Sequence, residues 1–201
     1  MNSESIPEYK IILASNSSIR QKILEDSGIS FEVVPSEVEE EELKQSLSGN
    51  NFREYCLTLA KAKALDVSNK KKNAFVIGSD QICSYGEEIF SKPLTKENCF
   101  KTLSKLSGNT HYQNCGISIC KNGKEIWSHY AQAALTMKSL SDTEIRDYID
   151  KDEPFMACGA YRFESLGKDL FLTTKGDETT IQGLTLNPII NFLTSKKVIN
   201  L

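Results

Sequence analysis

The sequence predicts an α/β protein with a mixed β-sheet and flanking helices, and two patterns carry that prediction. In the first half, short apolar runs alternate with stretches in which apolar residues recur at helical spacing, which is typical of βα units. In the second half, two long segments of strand character flank Asn122-Gly123, a dipeptide that strongly favours a tight hairpin. Together, βα and hairpin units would build a sheet with both parallel and antiparallel strands.

The elements of the first half are bounded by capping and helix-breaking residues. One apolar run ends at Ala14, and Ser15-Asn16-Ser17 can then cap a helix that Gly28 would end. Pro35 ends a second strand, and a long helix with one apolar face follows. The predicted strands are 10–14 and 31–34, and the helices carry apolar residues at 19, 23 and 24 and at 52, 55, 56, 59 and 62.

The middle of the chain predicts a third strand that gives way to polar residues. Residues 74–77 are fully apolar, and Gly78-Ser79-Asp80-Gln81 follows them directly. The segments 82–84 and 87–90 then flank Tyr85-Gly86 as the strands of a short hairpin would. We therefore expect Asp80 at the carboxyl end of a buried strand.

Capping signals also mark the elements of the second half. Thr95 can cap a helix that Gly108 ends, and Ser141 with Glu144 has the pattern of a capping box. The long hairpin strands are predicted at 111–120 and 124–137, a late strand at 170–173 and a final helix at 187–193.

Length and charge exclude several classes of protein. The chain has 201 residues, which fits a single domain over residues 1–201 when an average domain has about 150. Lys and Arg total 24 against 27 for Asp and Glu, so the net charge of -3 creates no overall basic field for nucleic acid or a membrane surface. A phosphate ligand would therefore have to be bound by a few placed cations.

We expect a cytoplasmic protein with reduced thiols. The first ten residues lack the basic start and apolar stretch of a secretion signal, and no apolar run approaches the ~18 residues of a membrane span. The six cysteines form no Cys-x-x-Cys pair, and no histidine lies at zinc-like spacing from them. The simplest interpretation is that they are mostly buried free thiols.

Two segments that follow predicted strands are candidate ligand sites, because ligands of open α/β sheets bind beyond the carboxyl ends of strands. In residues 14–20, the free amides at a helix start and the Arg20 side chain could bind an anion. The alternative is an ordinary capped helix with Arg20 in solvent.

The Asp80 carboxylate, at the end of a buried strand, would lose its hydration and would need a cation, a water or a hydrogen bond in its place. The alternative is that Asp80 forms an Asx-turn. Lys92, kept extended by Pro93, could direct its ammonium to the same place.

A cation site is a further hypothesis for Asp80 and the acidic run that follows the second strand. The run contains Glu37 and Glu39-Glu40-Glu41-Glu42, and such runs usually form a solvated face. If one of these side chains faced Asp80, the two carboxylates could hold Mg²⁺ or Mn²⁺, which prefer oxygen ligands. Lys63, on the long predicted helix, lies among lysines that are interpreted mostly as surface charge.

A set of motifs stands in order along the chain: Leu13-Ala14-Ser15-x-Ser17-x-x-Arg20, Glu39-Glu40, Leu59-Ala60-x-x-Lys63-Ala64, Gly78-Ser79-Asp80-Gln81, Gly86 to Lys92-Pro93, Leu106-Ser107-Gly108, Cys158-Gly159-Ala160-Tyr161 and Gly183-Leu184. This ordered set resembles the Maf (septum-formation-associated) family of nucleoside triphosphate pyrophosphatases. The resemblance covers about residues 10–193, and the ordered set is far more specific than any single motif. The Ser79-Asp80-Gln81 form looks most like the branch that acts on 7-methyl-GTP.

The resemblance implies two lobes around a deep cleft, a homodimer, and hydrolysis of a nucleoside triphosphate to the monophosphate and pyrophosphate with a divalent metal cation, Mg²⁺ or Mn²⁺. By position, Asp80 matches the catalytic aspartate and Glu40 the metal-associated glutamate, and our own hypothesis is that Glu40 and Asp80 together hold the cation. The phosphate-binding positions are Ser15, Arg20, Lys63 and Lys92, and the positions that set base selectivity are Ile19, Gln81 and Glu164.

Two other functions remain as alternatives at this point. A nucleotide-binding regulator of cell division would keep the cleft without turnover, but the presence of Asp80, Glu40 and Lys92 favours an enzyme, since a pure binder has less need of a metal-positioned water. A dinucleotide-binding oxidoreductase is disfavoured, because no Gly-x-Gly-x-x-Gly follows any predicted strand.

Overall fold

The computed structural model describes residues 9–47 and 51–200, the side chains of residues 44–46 excepted. Seven strands in this part form one mixed sheet, which confirms the predicted fold class. The strands are β1 (Lys10–Leu13), β2 (Glu32–Val33), β3 (Ala74–Tyr85), β4 (Glu88–Phe90), β5 (Thr110–Lys121), β6 (Lys124–Met137) and β7 (Phe171–Lys175). The α-helices are α1 (Ser18–Asp26), α2 (Glu40–Ser46), α3 (Phe52–Lys70), α4 (Lys96–Leu106), α5 (Asp142–Asp152), α6 (Glu178–Ile181) and α7 (Leu186–Ser195), and a 3₁₀ turn spans Leu166–Leu170.

The sheet is parallel at one end and antiparallel at the other. β1 lies between β2 and β3 and pairs in parallel with both. β5, β6 and β7 continue the sheet beyond β3 in antiparallel order, and the short β4 folds back on β3. The predicted hairpin joins β5 to β6, and Asn122 and Gly123 both have positive φ, as a tight hairpin turn requires. β3 is therefore the strand at which the two kinds of pairing meet.

β3 is longer than the sequence predicts and passes an opening in the sheet. β1 ends opposite Ile77 and the antiparallel β4 ends opposite Cys83, whereas β5 pairs continuously with residues 76–84. The prediction that Gly78-Ser79-Asp80-Gln81 follows a strand end or forms a turn is therefore wrong, because pairing with β5 extends the strand through these residues. On their other edge, no described strand pairs with residues 78–82.

Two glycines allow α3 to approach this part of the sheet. A Cβ added at Gly78 would lie 2.2 Å from the carbonyl oxygen of Ala60, and one added at Gly116 would lie 2.5 Å from the carbonyl of Cys56. Both distances are shorter than van der Waals contact, so a larger residue would push α3 away from the sheet. Gly116 lies opposite Asp80 in the β3–β5 register. The helix is thus held against the strand segment that carries Asp80.

Buried apolar residues form two large clusters. One involves α4, α5, β6 and the start of β7, and the other joins α1 and α7 to β1, β3 and β5. All six cysteines are free and five are buried, as predicted. In the part of the chain that the structure describes, every helix is too short or too polar to cross a membrane.

Several local predictions differ from the structure. Glu37, Glu39, Glu41 and Glu42 are exposed, as expected of a solvated face, but Glu40 also begins an unpredicted helix, α2, whose acidic first turn suits the positive end of a helix. Ser17 is the N-cap residue of α1, but its side chain makes no capping bond; its backbone N–H donates to Ser15 Oγ instead. The late strand begins at Phe171, because the residues before it form the 3₁₀ turn. The short helix α6, capped by Asp177, was not predicted.

Candidate active site

Asp80 is buried in the middle of β3, with 7% of its surface exposed. Side chains alternate along a strand, so Asp80 points to the same face as Gly78, which packs against α3. The carboxylate consequently faces the helix. It needs a partner there, because an isolated buried charge is strongly disfavoured.

Lys63 of α3 is that partner and also contacts a second carboxylate. Its Nζ lies 2.7 Å from Asp80 Oδ1 and 3.0 Å from Glu40 Oε1. Lys63 is buried, so the interpretation of the α3 lysines as surface charge does not hold for this residue. The structure therefore brings together Asp80, Glu40 and Lys63 from three separate segments; we call these three residues the charged cluster.

Burial raises the pKa of Asp80 above its usual range, and the nearby Glu40 carboxylate adds to the rise. The positive charges of Lys63 and Arg20 lower the pKa of Asp80 but do not cancel the effect of burial. A carboxylate with a raised pKa is a stronger base than an exposed one. The charged cluster thus holds a comparatively basic carboxylate beside a cation, at the opening left by β1.

Arg20 lies across that opening. Its Nη1 donates to Ser15 Oγ at 3.2 Å and to the carbonyl oxygen of Ser79 at 3.0 Å, and its Nε donates to the carbonyl oxygen of Gly183 at 2.8 Å. The alternative that Arg20 lies free in solvent is therefore wrong. Among the described residues Nη2 donates to no protein acceptor, which leaves its two N–H groups for a ligand.

Ser79 and Gln81 lie on the face of the sheet away from α3 and bind the segment that follows α6. Gln81 Nε2 donates to the carbonyl oxygens of Thr180 at 3.1 Å and Ile181 at 2.7 Å. Ser79 Oγ donates to the carbonyl oxygen of Gly183 at 2.8 Å. Both side chains therefore hold this segment to β3.

Three predicted site residues lie outside these contacts. Ile19, in α1, packs against the apolar cluster that contains α7. Lys92 is exposed two residues after β4, and Glu164 Oε1 lies 3.4 Å from Arg162 Nε. In the described ranges, no hydrogen bond or ion pair joins Lys92 or Glu164 to the charged cluster.

Residues that shape the site without carrying charge were not predicted from the sequence. Neither Gly116 nor the carbonyl groups of residues 180–183 were assigned a role. A glycine inside a predicted strand indicates close approach of another backbone, so Gly116 could have been found. The carbonyl contacts have no comparable signal, because every residue type presents a backbone carbonyl.

Glu40 and Asp80 are the residues of the charged cluster that could hold a divalent cation. Within residues 9–47 and 51–200, no group of three or more His, Cys, Asp or Glu side chains converges as a metal centre would. Glu40 and Asp80 both contact the Lys63 ammonium, so their carboxylates lie close together. Such a pair nevertheless suits Mg²⁺, which usually takes one or two protein carboxylates together with water and substrate phosphates. The donor set therefore fits an ion that arrives with a phosphate ligand.

Comparison with known proteins agrees with the motif order. The model of the family described as Maf-like protein matches residues 10–196. A nucleoside triphosphate pyrophosphatase of Legionella pneumophila (strain Corby) is 40% identical over 199 residues, 99% of this chain and 100% of that protein. A 7-methyl-GTP pyrophosphatase of Brucella abortus biovar 1 (strain 9-941) is 38% identical over 195 residues, 95% of this chain and 98% of that protein.

A solved structure, the Ham1 protein of Staphylococcus aureus, matches with a TM-score of 0.48 and 16% identity over 93% of this chain and 99% of that chain. That likeness is too weak to carry an argument. The family model, by contrast, spans residues 10–196, and the relatives are similar over nearly their whole length. The chain therefore belongs to the Maf family.

Proposed function

We propose that this chain is a nucleoside triphosphate pyrophosphatase that hydrolyses a nucleotide of the 7-methyl-GTP type to the nucleoside monophosphate and pyrophosphate. The names of the Legionella and Brucella relatives support the reaction and the substrate class. The observation that carries the proposal is the buried Asp80 carboxylate, which shares the Lys63 ammonium with Glu40. Fixed charges of both signs at one opening suit a reaction that accumulates negative charge on phosphate oxygens.

The cations of the site would bind the triphosphate. Lys63 and Lys92 would act as point charges, whereas Arg20 offers the two N–H groups of Nη2 from a planar guanidinium. Ser15 Oγ, which accepts from Arg20, would contribute a hydroxyl hydrogen beside it. Since the chain has a net charge of -3, these local cations must supply the attraction for an anionic substrate.

Asp80 would orient the attacking water and accept its proton. Cleavage between the α- and β-phosphates requires a water in line with the leaving pyrophosphate, so positioning accounts for much of the catalytic task. The raised pKa of Asp80 makes its carboxylate a better proton acceptor than an exposed aspartate. Its fixed place in β3 keeps the carboxylate from moving away from the water.

Glu40 and Asp80 would hold the divalent cation that accompanies the substrate. When bound, such an ion neutralises phosphate charge and makes a coordinated water more acidic. Lys63 contacts both carboxylates, so it keeps the pair within reach of one cation in addition to binding phosphate.

Ile19 and Glu164 are proposed to set the preference for the base. The half-buried Ile19 side chain could pack on the face of a base, and the Glu164 carboxylate could accept hydrogen bonds from a guanine edge. A Glu164→Gln variant should therefore change the ranking of nucleotides rather than slow all of them equally. Equal slowing of every nucleotide would remove Glu164 from this role.

The test is an incubation of the purified protein with Mg²⁺ and a panel of GTP, 7-methyl-GTP, ATP, dTTP and UTP, with separation of the products. We expect nucleoside monophosphate and pyrophosphate in equal amounts, and the fastest release from 7-methyl-GTP. An Asp80→Asn preparation, purified in parallel, controls for contaminating hydrolases. Formation of nucleoside diphosphate and orthophosphate would contradict the proposed reaction, and bound but intact nucleotide would favour a regulator.

A further inference from the structure

The turn that follows α6 is held by side chains from two other elements. Within residues 180–183, three backbone carbonyls accept hydrogen bonds from Gln81 and Ser79 of β3 and from Arg20 of α1. We call these three carbonyls and their donors the carbonyl clamp. The partners are about a hundred or more residues apart in sequence, so the clamp is a tertiary contact and not a local turn.

Gln81 uses both of its amide hydrogens in this clamp. A side-chain amide nitrogen has two N–H donors, and here one is directed to Thr180 and the other to Ile181. Its oxygen faces Gly183, where an added Cβ would lie 3.0 Å from Gln81 Oε1. Gly183 has a φ of +98°, which side chains other than glycine rarely adopt. The amide therefore faces the turn after α6, with no donor left for a nucleotide base.

The same turn fixes the orientation of Arg20. The carbonyl oxygen of Gly183 accepts from both Arg20 Nε and Ser79 Oγ, which uses the two lone pairs of that oxygen. Nη1 of Arg20 is bound to Ser15 Oγ and to the carbonyl oxygen of Ser79. Three of the five guanidinium N–H groups are therefore held by the protein, and the direction of the Nη2 edge follows from where Gly183 lies.

We propose that Gln81 is a positioning residue that acts through the carbonyl clamp to aim Arg20 at the substrate phosphates. The resemblance assigns Gln81 to base selectivity; the positioning role replaces that assignment and rests on the proposed function of Arg20. Asp80 and Gln81 are consecutive in β3 and point to opposite faces, so one strand segment carries the carboxylate on one face and the amide that holds the turn after α6 on the other.

The test uses tripolyphosphate, an inhibitor that has the phosphates of the substrate and no base. In the Gln81→Met variant we expect the Ki of tripolyphosphate and the KM of every nucleotide to rise by the same factor, about tenfold, while the ranking of nucleotides stays unchanged. Loss of a base contact would instead change the ranking and leave the Ki unchanged, and that result would overturn the proposal. An unchanged Ki with a lowered melting temperature would also overturn it, since it indicates a merely structural role.

A double-mutant cycle with Arg20→Met tests whether Gln81 acts through Arg20. If it does, Gln81→Met should have no further effect on the Ki of tripolyphosphate once Arg20 has been replaced. Full additivity of the two effects would contradict the proposal. Gln182→Met is the matched control, because Gln182 lies in the same turn but its side chain makes no hydrogen bond in the described part of the chain; its Ki should equal that of the wild type.

Ser79→Ala provides a second variant should Gln81→Met fold poorly. It removes one donor to the Gly183 carbonyl, so the Ki of tripolyphosphate should rise in the same direction by a smaller factor. An unchanged Ki would count against the clamp. The wild-type protein tests the proposed function before any variant is measured. If it neither hydrolyses nucleotides nor binds tripolyphosphate, the proposed function is refuted, and this inference with it.

Discussion

Asp80 and Asp152 are both buried carboxylates, with 7% and 4% of their surface exposed, but they are satisfied in different ways. Asp152 Oδ2 accepts from Tyr148 at 2.8 Å, and Oδ1 accepts from Ser165 at 2.6 Å, with Arg162 3.8 Å away. In the described chain, the only side-chain donor to Asp80 is Lys63, whose ammonium is shared with Glu40. Both oxygens of Asp152 accept from neutral hydroxyl groups, with Arg162 as a more distant cation, whereas Asp80 is held by one cation that it shares with Glu40.

The difference separates a structural role from a chemical one. Asp152 joins the end of α5 to the segment that carries Arg162 and Ser165, and hydroxyl donors use both of its oxygens. Asp80 lies beside an opening in the sheet, and burial raises its pKa although a cation is in contact. A buried carboxylate kept with a perturbed pKa beside an opening is a functional candidate, whereas a fully hydrogen-bonded one stabilises the fold.

The largest expected effect is on turnover in the Asp80→Asn variant. The change keeps the shape of the side chain and removes its charge, so we expect kcat to fall by at least ~10²-fold. The free energy of unfolding should stay within about 1 kcal/mol of the wild type, because burial already disfavours the charged form of Asp80 and Lys63 keeps Glu40 as a partner. Steady-state pyrophosphate release and urea unfolding check the two parts. A large loss of stability without loss of kcat would reverse the roles assigned to the two carboxylates.

Asp152→Asn is the matched variant and should show the opposite pattern. In the variant, an NH₂ group replaces one of the two carboxylate oxygens, so one hydroxyl that donates in the wild type would face another donor. The free energy of unfolding should therefore fall by about 2 kcal/mol. The kcat of the folded fraction should stay within about twofold of the wild type. Urea unfolding and the same pyrophosphate assay measure both quantities, and a strong loss of kcat at full folding would show that the contrast between the two carboxylates is false.

His111, which packs against Tyr161 and Phe171 of the apolar cluster that also contains α5, gives a smaller and pH-dependent effect. Burial lowers its pKa from 6.5 to about 4. Between pH 6.5 and about pH 4, His111 is protonated in the unfolded chain but neutral in the folded chain. Protonation therefore favours unfolding, and the contribution of His111 to stability is lost as the pH falls from 6.5 towards the folded pKa.

Between about pH 7 and about pH 5, the free energy of unfolding should drop by about 2 kcal/mol more in the wild type than in His111→Gln. Glutamine can keep a hydrogen bond to the Tyr161 hydroxyl, which lies 2.9 Å from His111 Nε2, but it does not titrate. Parallel pH dependence in the two proteins would refute the assignment of a neutral, buried imidazole.

Much of the fold could be predicted because its signals are local. The β5–β6 hairpin follows from Asn122-Gly123, and the capping box of α5 is formed by Ser141 and Glu144 as expected. The continuation of β3 through Asp80 could not be predicted, because the strand is extended by a partner that begins at Thr110. The local sequence around Gly78 is typical of a turn, but pairing with β5 keeps these residues in an extended strand.

The side chains of the candidate site could be predicted from sequence motifs, but the backbone carbonyls that orient them could not. Asp80, Glu40 and Lys63 were singled out by their motifs and meet in the structure. The position of Arg20 depends on the carbonyl oxygen of Gly183, and no residue pattern reports where a carbonyl will lie in the folded chain. The turn after α6 is held by residues distant in sequence, so no local pattern in residues 180–183 indicates its role.

The most direct test of the central claim, that Asp80 drives hydrolysis from the charged cluster, is the rate of a single turnover. Wild type, Asp80→Asn and Asp152→Asn would each be mixed in excess over 7-methyl-GTP with Mg²⁺, and the first nucleoside monophosphate formed would be followed by rapid quench. This excludes product release from the measured rate. The account predicts a rate at least ~10²-fold lower for Asp80→Asn alone, with Asp152→Asn close to the wild type. A first turnover at the wild-type rate in Asp80→Asn would contradict it.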